Sequence, residues 1–180
     1  DASTNTGGVS YRATALNASL TGGSGNDTLT GGLSVDTLAA TLIGGTTVPT
    51  MTGIDTLDIT GTAQATLDLS NSSGYTTLKN TATTGAGTLT FNAISSTAPA
   101  LSINNTALGT SFLYTTAAVA GLTDSVNLSL TNVTGGGANV ITIGGVETIN
   151  VTSNGVTANT ATLTAGAATT VNVNGTNAIT

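Results

Sequence analysis

The sequence predicts an all-β chain folded as a right-handed parallel β-solenoid (β-helix or β-roll) of short strands, with a β-sandwich as the alternative. Three observations carry this expectation. Strand-length segments alternate aliphatic residues with Thr, Asn, Ser or Asp, so that one face is apolar and the other polar. Turn-forming clusters of Gly, Asn and Ser separate these segments at intervals of about ten residues, the spacing of sandwich strands or of solenoid faces. Aromatic residues are only 3% of the 180, so the core must be built from Leu, Val, Ile and Ala, which suits a narrow stacked interior. Asn and Thr recur at matching places in successive segments, where stacked side chains can hydrogen-bond in ladders, and this favours the solenoid.

Residues 1–50 read as a glycine-rich part and 51–180 as a strand-dense part of one solenoid region, with no linker between them. The alternating segments are Thr56–Thr60, Ala65–Ser70, Thr88–Phe91, Ala100–Ile103, Val126–Leu130, Val140–Ile143, Thr148–Thr152, Ala161–Thr164 and Thr170–Val173. Their β-branched residues lose little side-chain freedom in an extended backbone. Asn71-Ser72-Ser73-Gly74, Gly135-Gly136-Gly137 and Ser153-Asn154-Gly155 supply turn chemistry between them. Ala107–Val119, where Phe112, Leu113 and Tyr114 stand in succession, interrupts the alternation and reads as an irregular connection. Abundant Gly and Thr with few Glu, Lys or Arg oppose long helices.

Composition restricts the chemistry. The chain has no Cys, His or Trp, which removes the commonest nucleophile–base pairs and the thiolate and imidazole metal ligands. Two basic residues against eight acidic ones give a net charge of −6, leaving no cationic patch for nucleic acid. No apolar run approaches the length of a membrane span. The start lacks the layout of a signal peptide, and the strand pattern still runs at the last residues, so the chain is expected to be a fragment of a longer protein.

The most specific local signal is Gly22-Gly23-Ser24-Gly25-Asn26-Asp27-Thr28-Leu29-Thr30. It follows the nonapeptide pattern G-G-x-G-x-D-x-U-x, whose glycine-rich half turns around Ca²⁺ and whose second half is a short strand. Ca²⁺ accepts six to eight oxygens at flexible geometry, and oxygen ligands are the only kind plentiful here. The candidate ligands are Gly23 and Gly25 through their carbonyls, Asn26 and Asp27, with Asp36 nearby in sequence.

A second pattern occurs twice, in Met51–Thr60 and in Ile143–Thr152, as apolar-x-Gly-apolar-acid-Thr-apolar-polar-apolar-Thr. It places one carboxylate, Asp55 or Glu147, just before a strand. In a chain with so few cations these acids call for another partner, and Ca²⁺ is the expected one; Asp124 is a further candidate.

The order Leu122–Leu130, then Gly145–Val151, Thr160–Thr164 and Thr170–Val173 resembles the repeat-bearing portion of RTX-type surface-layer proteins of Gram-negative bacteria, such as that of Caulobacter. The resemblance implies a calcium-stabilised β-solenoid, export by type I secretion and assembly into a porous lattice. It places Asp27 at the nonapeptide Asp, and Asp124 and Glu147 at acids of the later repeat. Tandem nonapeptides, however, are absent.

The expected function is therefore structural and non-enzymatic: an extracellular, cell-surface subunit that folds with Ca²⁺ and self-associates into a sheet or filament. Alternatives are an adhesin or matrix module that binds cell-surface polysaccharide and, less favoured, a polysaccharide-degrading enzyme using Asp55, Asp58 and Asp68. The enzyme reading lacks clustered aromatic sugar platforms and a basic or His partner.

Overall fold

A computed structural model describes residues 10–12, 19–20, 27–32 and 35–180. Among them the chain forms eighteen strands and no helix. The first six are β1 (Ser10–Arg12), β2 (Ser19–Leu20), β3 (Thr28–Thr30), β4 (Thr37–Leu42), β5 (Gly45–Thr47) and β6 (Thr50–Thr52). The middle six are β7 (Thr56–Gly61), β8 (Ala65–Asp68), β9 (Ser72–Ser73), β10 (Thr77–Thr81), β11 (Leu89–Ile94) and β12 (Ala100–Asn104). The last are β13 (Thr110–Tyr114), β14 (Ser125–Thr131), β15 (Gly136–Ile143), β16 (Thr148–Asn154), β17 (Ala161–Thr164) and β18 (Thr170–Gly175).

These strands make a β-solenoid of about 7 turns. Every strand pairing is parallel, and each strand pairs with its counterparts one coil before and after. The first sheet orders β1-β3-β6-β9, the second runs through eight strands from β2 to β18, and the third runs through six from β5 to β17. The early coils therefore have three walls; after β9 the first wall stops and the chain returns directly from the third sheet to the second. The second sheet shows how long each coil is. Leu20 pairs with Leu38, 18 positions on, whereas Leu101 pairs with Leu128, 27 positions on. Coils thus vary in length while the strands of this sheet stay paired in register.

The core follows from the alternation. Leu38, Leu57, Leu78, Leu101, Leu128 and Val151 stack in one inward column of the second sheet, and none is more than 4% exposed. Opposite them, Leu67, Phe91, Phe112 and Ile143 form a column of the third sheet. The rings of Phe91 and Phe112 stack there at 5.3 Å and 6°, so both phenylalanines of the chain meet in one place. The stretch expected to be an irregular connection contains β13. Its alternation is intact, with Thr110 and Phe112 inward, but three large apolar residues in succession obscure it in the sequence.

Asn80 enters the interior with both ends of its amide matched. The fully buried Asn80 donates its amide to Thr110 Oγ1 at 2.7 Å and accepts from the Thr83 hydroxyl. At the far end of the second sheet's strands, Ala82, Asn105, Asn132 and Gly155 stand directly after β10, β12, β14 and β16 with φ of 51°, 51°, 51° and 109°. This stacked left-handed residue turns the chain toward the third sheet. Asn tolerates that conformation and Gly adopts it freely. At Gly155 a Cβ would also lie 2.3 Å from Asn132 Oδ1, so both conformation and space select glycine.

Candidate functional site

Four of the five acids expected to hold Ca²⁺ gather at the opposite corner, where the chain enters the second sheet. Asp36, Asp55, Asp124 and Glu147 immediately precede β4, β7, β14 and β16. Because β4 pairs with β7 and β14 with β16, the four acids form two stacked pairs on adjoining coils. Thr76 and Pro99 hold the same place on the two coils between.

Each pair is a clasp between coils. The Asp36 N–H donates to Asp55 Oδ2 at 2.8 Å, while the Asp36 carbonyl accepts from the N–H groups of Asp55 and Thr56, both at 3.0 Å. Likewise the Asp124 N–H donates to Glu147 Oε2 at 2.9 Å, and the Asp124 carbonyl accepts from Thr148 N–H at 2.9 Å. The carboxylate of the upper coil thus satisfies a backbone donor that the turn leaves outside the strand ladder, where an unmet donor is expensive. This partner for the recurring acid, a backbone amide one coil away, is invisible in a linear sequence.

The remaining calcium candidates differ in setting. Gly23, Gly25 and Asn26 lie outside the described residues. Asp27 is 4% exposed, and its carbonyl accepts from Thr50 N–H at 2.8 Å. Asp36 is fully buried, and its Oδ2 also accepts from Gly32 N–H. Beside it, Gly31 presses so closely on the next coil that a Cβ would lie 1.7 Å from Gly53 O. Glycine at position 31 of the Gly31-Gly32 pair is therefore fixed by coil contact.

One carboxylate oxygen stands apart. Asp124 Oδ2 is buried and has no hydrogen-bond partner, and the open side of Gly121 faces both Asp124 oxygens, 3.1 Å from where its Cβ would be. Together with Glu147, Asp124 offers oxygen donors alone, the set a hard cation prefers. Among the described residues no three acidic side chains converge on one point.

The acids weighed for catalysis occupy separate surfaces. Asp55 belongs to the corner clasp. Asp58 points outward from the second sheet and pairs with Lys79 at 2.8 Å. Asp68 points outward from the third sheet, where Asn92 donates to it at 2.7 Å and Ser70 N–H at 2.9 Å. The Ser70 hydroxyl and N–H, then Asn92, hold its pKa below the ordinary 3.8. Tyr114 is the other perturbed group: burial, with Tyr75 close by, pushes its phenol well above the ordinary 10.0.

No helix among the described residues is long and apolar enough to cross a membrane. No protein-family model matches the chain. Comparisons with curated proteins and with solved structures find no match.

Proposed function

We propose that the chain is a structural subunit of a bacterial surface layer or similar extracellular assembly, which folds and self-associates with Ca²⁺. The observation that carries this reading is the use of the scarce acids. Four of them stack in pairs at one corner, one pair keeps a buried carboxylate oxygen unpartnered, and the acids weighed for catalysis lie on separate surfaces. In this reading Asp124 and Glu147 hold the ion, which supplies positive charge between adjoining coils and ties the fold to external calcium. Asp27 and Asp36 would serve the glycine-rich end in the same way. The solenoid then provides a rigid rod with repeating faces for assembly.

The test is far-UV circular dichroism and light scattering of the chain in excess EGTA, then in millimolar Ca²⁺, with Mg²⁺ as control. A rise in β-signal and particle size with Ca²⁺ alone supports the reading. A fold and particle size indifferent to Ca²⁺ would remove the metal from it.

A further inference from the structure

The outer face of the second sheet differs from that of the third sheet in charge and in regularity. Along β4, β7, β10, β12, β14, β16 and β18 its outward side chains are Thr, Ser, Asn or Ala, except for Asp58 and Lys79. Those two charges neutralise each other at 2.8 Å. In a chain of net charge −6, this face has a net charge of zero. Its strands also pair without a register shift, whereas the third sheet is interrupted between Phe91 and Ile94 and between Gly136 and Val140.

The face is also preorganised. The Asn150 amide donates to Asn127 Oδ1 at 3.2 Å, and the Asn172 amide donates to Asn150 Oδ1 at 2.9 Å, a ladder across three coils. Amides already engaged with each other have settled rotamers and lose fewer water contacts when covered, which lowers the two main penalties of association. The surface lacks features that recognise other partners: it has no aromatic platform for a sugar and no cationic cluster for a phosphate.

We propose that this face is the contact between two copies of the chain, packed sheet on sheet about a two-fold axis. This deepens the assembly reading above and rests on it. Periodicity argues for a second copy, because a surface with the same strand spacing of about 4.8 Å matches these rows of Thr, Ser and Asn along their whole length. Charge argues the same way, since two neutral faces meet without the repulsion that the acidic corners would bring. Area is sufficient: seven strands of about five residues cover roughly 600 Å² per copy, or about 1,200 Å² in all, the lower bound for a specific interface.

The test is sedimentation equilibrium of the full chain over a wide concentration range in Ca²⁺, with circular dichroism to establish folding. Ser102→Lys combined with Ser129→Lys places like charges opposite each other across the two-fold and should weaken association by about tenfold or more. Ser111→Lys combined with Thr142→Lys on the third sheet should leave it unchanged. Because the native chain has no Cys, a pyrene label on Ser102→Cys gives a second readout, excimer emission on association. A chain that stays monomeric throughout overturns both this contact and the assembly reading. Association that survives the second-sheet lysines, or is lost with the third-sheet ones, overturns this contact and leaves the assembly reading standing.

Discussion

At the scale of single residues, stacking makes backbone conformation as decisive as side-chain chemistry. Ala82 takes the left-handed corner at φ 51°, where successive coils use Asn or Gly, and its Cβ makes that conformation costly. Replacing it by Gly should raise stability by about 0.5–1 kcal/mol, read as a higher urea midpoint with unchanged slope. Asp68 makes the opposite kind of contribution. Its folded pKa lies below the ordinary 3.8, so the folded chain binds that proton less readily than the unfolded one. The stabilisation is complete above the ordinary carboxylate range and fades as pH falls through the lowered value. Asp68→Asn should therefore lower the urea midpoint more at pH 6 than at pH 2.5, and an equal loss at both would sink the argument. Neither residue announces this in the sequence, because the Asn92 and Asn105 that give them context lie 24 and 23 positions away.

At the scale of elements, period-two patterning carried the reading as far as it could. All nine alternating segments picked out in the sequence fall on strands, from Thr56 in β7 to Val173 in β18, because aliphatic residues at every second position leave little else for a narrow interior. Strands that broke the pattern were harder to see. β10 carries Lys79 outward and Asn80 inward, so its inward face is half polar until the next coil brings Thr110 beside Asn80, which Thr83 already meets locally. β13 hides its alternation behind Phe112-Leu113-Tyr114. The acids before β7 and β16 are legible as a repeated position, and in the structure each accepts from a backbone N–H on the coil before it. That partner depends on which residues lie one coil below, and spacings of 18 to 27 conceal this from a search for fixed repeats.

At the scale of the whole molecule, each coil touches only its neighbours, so stability is a sum over coils and the contacts between them. Ile103 is fully buried in the middle of the stack, and Ile103→Ala should cost about 2–5 kcal/mol. Its effect on hydrogen exchange should spread to coils on both sides. Leu163, on β17 near the open end, borders an apolar hollow with Val171 and Val173, which are 47% and 58% exposed. Leu163→Ala should speed exchange in β16 to β18 and leave β7 to β12 protected; uniform acceleration in both variants would contradict coil-by-coil stability. The same independence has an evolutionary side. Between β13 and β14 the chain spends ten residues, 115–124, on a return that shorter coils complete in fewer, yet Leu101 still meets Leu128 in register. Sequence drift and insertion can accumulate in the exposed part of that return, ahead of Gly121 and the Asp124 clasp, while the scaffold stays constant, so lineages of such a rod would diverge first in the segments that bridge its walls, and a foreign peptide could be carried there as cargo.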